Sequence, residues 1–243
     1  MFSKIIKSIP NTNTTLNLLS GVMAIIFAFH FGQEIGALKG YQWAFICIGC
    51  AAIFDFCDGA SARLLKAYSP IGAELDSLAD LVSFGVAPAM LVFNIINIAN
   101  EVEFTPWSLI ALLIPAMGAL RLARFNVDTR QTTSFIGLPI PAGAIFWIGL
   151  VDWFMVSGYR GNWVALILVA GMSLMMVSNM NLFSLKVKNF HLLENIKQYF
   201  IILAAIVLVA LCGLSGLMWT IFVYILISPI KITVEVEGNE PEK

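Results

Sequence analysis

Long apolar stretches separated by short polar turns fill almost the whole chain. Each is close to the length of about 20 residues that a helix needs to cross a bilayer, so the pattern predicts about eight spanning helices. The last two are separated only by a tight turn at 213–216, and they can also form a re-entrant hairpin. The predicted spans are 15–31, 41–65, 72–98, 106–125, 138–157, 162–182, 199–213 and 215–230.

The two ends of the chain are more polar than the stretches between them. Residues 1–14 predict an amphipathic segment on the membrane surface, because Lys4 and Lys7 alternate with isoleucines. The polar run 10–14, beginning with Pro10, is predicted to break this segment and cap the first spanning helix. Residues 1–233 are predicted to form one transmembrane catalytic domain, followed by an acidic cytoplasmic tail at 234–243.

Composition and charge distribution agree with a membrane protein. Hydrophobic residues make up 59% of the chain and charged residues 12%, well outside the usual balance of soluble proteins. The prediction is an all-α, polytopic helical bundle in the cell (cytoplasmic) membrane. With a cytoplasmic N-terminus, only Lys39 and Arg160 face outward among the basic residues, so the positive-inside rule places both termini on the cytoplasmic side. The net charge of -1 gives no reason to expect a nucleic-acid partner.

Four aspartates lie where the second and third predicted helices meet at the cytoplasmic face: Asp55, Asp58, Asp76 and Asp80. Spacings of three and four place each pair on one side of its helix, so the two helices can direct all four carboxylates into one cavity. Carboxylates at membrane depth are costly and repel one another unless a cation neutralises them. Oxygen ligands favour a hard divalent ion, Mg²⁺ or Mn²⁺, with Ca²⁺ as a non-native occupant.

Such a site suits the chemistry of a diphosphate substrate. Metal ions neutralise phosphate oxygens, and a carboxylate can accept the proton of an attacking hydroxyl. Gly59 and Ala62 allow a ligand to approach the helix closely, and Arg63 can pair with phosphate. Aspartates that are merely solvated at a helix end would explain one or two of these carboxylates, but not four on matched faces.

The spacing of these residues resembles the signature of the CDP-alcohol phosphotransferase family. All eight fixed positions match: Asp55, Asp58, Gly59, Ala62, Arg63, Gly72, Asp76 and Asp80. The resemblance implies that a hydroxyl attacks the lipid-bearing phosphorus of a CDP-linked donor and that CMP leaves. It also implies a six-helix core, a homodimer and a divalent metal bound by the four aspartates. Asp80 is expected to act as the general base as well, and the expected catalytic residues are Asp80 and Arg63.

Looser segments resemble the phosphatidylserine synthases within this family. They lie at 10–21, 80–88, 118–126 and 135–141, with a weaker similarity at 178–186. This resemblance implies CDP-diacylglycerol as donor and L-serine as acceptor. The residues expected to contact the donor are Gly59, Ala62, Arg63, Gly72 and Asn17, and those expected to contact serine or a phosphate are Arg121, Arg124, Asn126 and Lys186.

Three other functions are compatible with part of the pattern. A relative with the same chemistry can use glycerol 3-phosphate or inositol phosphate as acceptor, although an anionic acceptor calls for a more basic pocket. An aspartate-rich membrane prenyltransferase also binds metal and diphosphate, but its acidic motifs are expected on distant helices. A cation transporter can use intramembrane carboxylates as ligands, yet it gives no reason for the spacing of Gly59, Arg63 and Gly72.

Overall fold

The computed structural model describes residues 2–65, 67, 69–127, 134–159, 161–184 and 195–230, without the side chains of residues 2–9 and 134. Lys186 and the predicted tail at 234–243 lie outside the described residues. Nine α-helices account for most of the described part: α1 Phe2–Phe29, α2 Gly40–Leu64, α3 Pro70–Asp80, α4 Ala87–Ala99, α5 Leu113–Val127, α6 Ile140–Ser157, α7 Asn162–Val177, α8 Ile196–Cys212 and α9 Gly216–Ile227.

Six helical stretches among the described residues are long and apolar enough to cross a membrane. The prediction of a polytopic helical membrane protein is confirmed, but the count differs from the predicted eight. One difference is α7, whose 16 residues rise only about 24 Å, less than the roughly 30 Å of a hydrocarbon core. The other difference is the last stretch, 196–227, which is counted once among the six although it contains both α8 and α9. The six stretches are Pro10–Phe29, Gly40–Leu64, Pro70–Ala99, Pro106–Val127, Ile140–Ser157 and Ile196–Ile227.

The last stretch folds back on itself as a helical hairpin. Gly213 adopts a positive φ of 63°, and the short 3₁₀ turn Gly213–Ser215 separates α8 from α9. The Lys197 ammonium in the first turn of α8 donates to the carbonyl oxygens of Ser228 and Ile230, just beyond the end of α9. The two helices are therefore antiparallel.

The predicted break near the N-terminus is wrong, because α1 continues through Pro10. A proline in a helix removes one backbone donor, and the helix here continues with additional side-chain bonds. The Thr15 hydroxyl donates to the carbonyl of Asn11 at 2.8 Å, and the Thr14 hydroxyl lies 3.0 Å from the carbonyl of Pro10. The predicted surface segment, from Phe2 onward, and the first span are thus one continuous helix.

The third membrane stretch changes its helical winding directly after Asp80. A π-helical segment, Leu81–Val86, joins α3 to α4, and such wide turns are frequent at functional sites. The Ser83 hydroxyl in this segment donates to the backbone carbonyl of Asn17 at 2.9 Å. A Cβ on Gly21 would collide with Ser83, so glycine is needed where α1 packs against this turn.

Two short antiparallel ribbons, which the all-α prediction did not include, close loops of the bundle. Strands β1 (Glu34–Ile35) and β2 (Leu38–Lys39) connect α1 to α2, and β3 (Ser134–Ile136) pairs with β4 (Asn181–Phe183). In the second ribbon Phe135 lies opposite Leu182. Two- and three-residue strands carry too few positions to show an alternating pattern in the sequence.

The core of the bundle is centred on α6. Phe146, Trp147, Leu150 and Val151 in this helix are completely buried, and α6 contacts α4 and α9. At one end of the bundle, α2 ends and α3 begins, close to α1 and to the last turns of α5. This end, which carries Arg63, Asp80 and Arg121, is called the site end below.

Candidate active site

A short turn between α2 and α3 brings the four aspartates together. The Ser69 side chain caps α3 by accepting a hydrogen bond from the backbone nitrogen of Gly72 at 3.0 Å, and Pro70 occupies the first helical position. Both features favour a helix start at this point. A Cβ on Gly72 would lie 2.9 Å from Ser69 Oγ and 3.0 Å from Asn11 Oδ1, so this glycine allows the turn to pack against α1.

Three of the aspartates form a cluster suitable for a metal ion. One carboxylate oxygen from each of Asp55, Asp76 and Asp80 lies within 4.8 Å of the others. Bonds of 2.0–2.6 Å to a divalent cation span separations of this size. Asp76 Oδ1 is also buried without a hydrogen-bond partner among the described residues. The site therefore fits a divalent metal, which would satisfy that atom and offset the repulsion between the carboxylates.

The fourth aspartate, Asp58, lies beside this cluster rather than within it. Asp58 is buried, and its Oδ2 accepts a hydrogen bond from the Thr14 hydroxyl at 2.7 Å. This bond joins α1 to α2 beside the aspartate cluster, and Thr14 is a contact that was not predicted from the sequence.

Asp80 is oriented by an asparagine from α1. Asn17 is completely buried, and its Nδ2 donates to Asp80 Oδ1 at 3.1 Å. Asn17 was expected to contact the donor, but it does not line the cavity beside the aspartates. Its observed partner is the carboxylate, so Asn17 fixes one oxygen of Asp80.

A cavity of about 500 Å³ opens beside the aspartates at the site end. Its volume is within the range of 300–1,000 Å³ that ligand sites commonly enclose, so it is large enough for a nucleotide. A Cβ on Gly59 would meet no described atom within 4 Å, so that helix face is open to a ligand. The lining residues are Pro10, Asn11, Thr14, Asp58, Gly59, Ala62, Arg63, Ala67, Ser69, Gly72, Ala73, Asp76 and Phe125.

The residues expected to bind the acceptor are in different environments. Arg121 is only 6% exposed, its Nε has no hydrogen-bond partner among the described residues, and its guanidinium lies 5.7 Å from the ring centroid of Phe125. The electrostatic neighbours of Arg121 include Asp80. Arg124 is exposed and donates to the carbonyl of Val177 at 2.8 Å. The exposed Asn126 donates to Ser77 Oγ at 2.9 Å.

These contacts distinguish Arg121 from Arg124 and Asn126. A buried guanidinium with an unsatisfied donor is costly unless an anion pairs with it. Arg124 and Asn126, in contrast, each use a donor to hold protein structure at the surface. Arg121 is thus buried with an unpaired donor within electrostatic range of Asp80, whereas Arg124 and Asn126 make contacts outside the cavity.

The sequence comparisons agree with the geometry of the site. Residues 7–180 match the model of the CDP-alcohol phosphatidyltransferase family, a match that covers most of the chain and includes all four aspartates. The chain belongs to this family, whose members transfer a phosphatidyl group and generally use a divalent metal.

Several relatives carry a more specific name, CDP-diacylglycerol–serine O-phosphatidyltransferase. The protein from Methanocaldococcus jannaschii is 38% identical over 181 residues, covering 74% of this chain and 76% of the relative. The Mycobacterium tuberculosis protein is 31% identical over 231 residues, with coverages of 88% and 74%. For the Mycobacterium leprae protein, identity is 36% over 181 residues, which cover 70% of this chain and 56% of the relative's length.

Proposed function

We propose that this protein is a phosphatidylserine synthase that transfers the phosphatidyl group of CDP-diacylglycerol to the hydroxyl of L-serine, with release of CMP. The observation that carries the proposal is the cluster of Asp55, Asp76 and Asp80 at the edge of a cavity large enough for a nucleotide. Family membership supports the transfer reaction, and the names of the relatives support serine as the acceptor.

The donor lies in the cavity with its diphosphate toward the aspartates. The open helix face at Gly59 and the small side chain of Ala62 admit the nucleotide. Arg63 is exposed at the cavity wall, where its guanidinium can pair with a phosphate. Gly72 acts indirectly, because it allows Asn11 and Ser69 to pack at the cavity wall.

Asp55, Asp76 and Asp80 would hold the metal, which we propose to be Mg²⁺ or Mn²⁺ because all the ligands are oxygens. When bound, the metal supplies positive charge that stabilises the diphosphate leaving group. Asp58 lies beside these three carboxylates and accepts a hydrogen bond from the Thr14 hydroxyl. The positive charge of a bound metal would reduce the repulsion among the four carboxylates.

Asp80 serves as the general base. The serine hydroxyl oxygen attacks the lipid-bearing phosphorus, a new phosphodiester bond forms, and the bond from that phosphorus to the CMP oxygen breaks. The hydroxyl proton passes to Asp80. Asn17 donates to Asp80 Oδ1, so the second carboxylate oxygen is available to receive this proton.

Arg121 binds the carboxylate of serine. It is the buried arginine near Asp80, and its unpaired Nε needs an anionic partner. A guanidinium can hold a carboxylate through two parallel hydrogen bonds. Serine bound in this way has its hydroxyl close to the proposed base.

We also propose that the enzyme is a homodimer with its site end on the cytoplasmic side. The chain is an integral membrane protein by its six apolar helical stretches, and the basic residues Arg63, Arg121 and Arg124 at the site end favour a cytoplasmic location. Chemical crosslinking in native membranes tests the dimer. Labelling of a cysteine introduced for Arg124 by a membrane-impermeant reagent tests the orientation, since only inside-out vesicles should react.

The function is tested by a panel of acceptors. Purified protein is incubated with CDP-diacylglycerol, a divalent metal and either L-serine, glycerol 3-phosphate or inositol phosphate, and CMP release is measured. Release that depends on serine is expected. Release with glycerol 3-phosphate and none with serine would contradict the proposed acceptor while leaving the transfer chemistry intact.

A further inference from the structure

Arg121 lies on the side of α5 that faces the bundle. The buried residues of this helix are Ile114, Gly118, Arg121 and Leu122, and spacings of three and four residues are those of one helix face. A Cβ on Gly118 would lie 2.7 Å from Cδ1 of Ile140, so this face of α5 packs closely against the start of α6. The guanidinium of Arg121 is therefore a cation held inside the protein.

Phe125 follows Arg121 by one helical turn and continues this face toward the site end. Residues four apart on a helix are neighbours, and the guanidinium carbon of Arg121 lies over the Phe125 ring, 5.7 Å from its centroid. A cation and an aromatic face attract one another within about 6 Å. Phe125 is also 39% exposed and lines the cavity beside the aspartates. One ring thus adjoins both the buried cation and the cavity.

The ring contact is important because Arg121 has an unpaired donor. Its Nε has no hydrogen-bond partner among the described residues, although the side chain is only 6% exposed. A long arginine side chain loses considerable rotamer freedom when a ligand immobilises it. A ring that already attracts the guanidinium reduces this loss, since the cation is oriented before the acceptor arrives.

We propose that Phe125 is a positioning residue that holds the Arg121 guanidinium in the orientation required for the acceptor. The proposal rests on the proposed function, in which Arg121 binds the acceptor carboxylate. Phe125 acts through its aromatic face, because it has no polar group to offer the acceptor. The same ring lines the cavity proposed for the donor, so the acceptor site adjoins the donor site at this residue.

The test is a Phe125→Leu variant of the full chain, which keeps an apolar side chain and removes the aromatic face. CMP release is measured while serine and CDP-diacylglycerol are varied separately. The KM for serine is expected to rise about 5- to 30-fold, the effect of losing the attraction between a ring and a buried cation. The KM for CDP-diacylglycerol should rise much less, because leucine still covers the apolar wall of the cavity.

A conservative variant at the same position separates the aromatic face from the rest of the side chain. Phe125→Tyr keeps that face, so its KM for serine should stay close to that of the wild type. Partial unfolding does not imitate these effects, because KM is independent of the amount of active enzyme.

Phe104→Leu is the matched control for loss of a partly exposed phenylalanine. Phe104 is 56% exposed, and its ring centroid lies 6.3 Å from that of Phe93. It follows α4, at the end of the bundle away from the aspartates, so both KM values should be unchanged in this variant.

Four results would overturn the positioning role. They are an unchanged serine KM in Phe125→Leu, a rise in the CDP-diacylglycerol KM as large as that for serine, an equal loss in Phe125→Tyr, and an equal rise of the serine KM in Phe104→Leu. The second of these would instead assign the ring to the donor site.

Failure of the positioning role is distinguishable from failure of the proposed function. If the wild-type protein uses another acceptor instead of serine, the serine assignment fails, and the same variants are measured with that acceptor. A selective rise in its KM for Phe125→Leu still supports the positioning role. An unchanged KM for that acceptor, or no turnover of any acceptor by the wild type, would overturn it.

Discussion

Replacing Asn17 with alanine should slow catalysis without weakening the binding of either substrate. The Asn17 side chain donates to Asp80 Oδ1 at 3.1 Å and is completely buried, so Asn17→Ala leaves the carboxylate free to rotate. A hydrogen bond to a charged group contributes about 1.5–3 kcal/mol, and each 1.36 kcal/mol corresponds to a factor of ten in rate. The expected loss in kcat is roughly 10- to 150-fold.

Asn17→Ala should remain folded, because part of the contact between α1 and the third membrane stretch does not depend on the Asn17 side chain. The Ser83 hydroxyl bonds to the backbone carbonyl of Asn17, and this bond persists after substitution. Asn94→Ala is a matched control: Asn94 Nδ2 donates to the carbonyls of Ala28 at 3.0 Å and Met90 at 2.8 Å. It therefore also connects α1 to the third membrane stretch, but away from the aspartates.

Both variants are assayed for CMP release over ranges of serine and CDP-diacylglycerol, and their thermal unfolding is followed in the same detergent. We expect similar small decreases in unfolding temperature for both and a large decrease in kcat for Asn17→Ala alone. If Asn17→Ala keeps more than half of the wild-type kcat, or if Asn94→Ala loses as much activity, the orientation of Asp80 by Asn17 is not important for the reaction.

The remaining predictions concern the metal, the cavity and the packing of the last helices. Chelation of divalent ions should abolish CMP release, and addition of Mg²⁺ or Mn²⁺ should restore it. Asp76→Asn should raise the metal concentration needed for half-maximal activity. Turnover without any divalent metal would refute the metal site. Gly59→Leu should fill the cavity and raise the KM for CDP-diacylglycerol at least tenfold, whereas Gly49→Leu, at an equally open position of α2, should not; equal effects would contradict the cavity assignment. A Cβ on Gly149 of α6 would collide with the backbone of Met218 in α9, so Gly149→Ala should lower the free energy of unfolding by about 1–3 kcal/mol through overpacking. Gly171→Ala, whose Cβ would meet no described atom within 4 Å, should leave that free energy nearly unchanged. Equal stability of the two variants would refute the close contact between α6 and α9.

Regular features with a strong local pattern were predictable from the sequence. Each of the eight apolar stretches contains a helical segment, because spanning segments require runs of apolar residues that stand out from their neighbours. The four aspartates were also predicted to meet, since spacings of three and four residues on two adjacent helices leave few alternatives. The structure confirms that Asp55, Asp76 and Asp80 share one cluster.

Features that depend on contacts between distant residues were not predictable in the same way. Asn17 and Asp80 are 63 residues apart, and Thr14 and Asp58 are 44 apart, so no local periodicity indicates these pairs. The bond from the Tyr224 hydroxyl to the carbonyl of Phe183 depends on the α8–α9 hairpin folding back toward the second ribbon. A polar residue within an apolar helix was the available signal for Tyr224, but its partner could not be named.

The wrong prediction at Pro10 has a local physical cause. Proline and several asparagine and threonine residues normally favour the end of one segment and the cap of the next. Here the Thr15 hydroxyl bonds back to the carbonyl of the residue four positions earlier, a bond compatible with a continuing helix. The hydrogen bond from the Thr14 hydroxyl to Asp58 then attaches this stretch to α2.

The central claim is that the aspartate site transfers a phosphatidyl group to serine with Asp80 as the base. The most direct measurement uses purified protein, CDP-diacylglycerol and isotope-labelled L-serine, and quantifies labelled phosphatidylserine and CMP in the same reaction. The wild-type protein should form both products in equal amounts, and Asp80→Asn, while remaining folded, should form neither. Labelled phosphatidylserine from Asp80→Asn at the wild-type rate, or CMP without labelled lipid from the wild type, would contradict the claim.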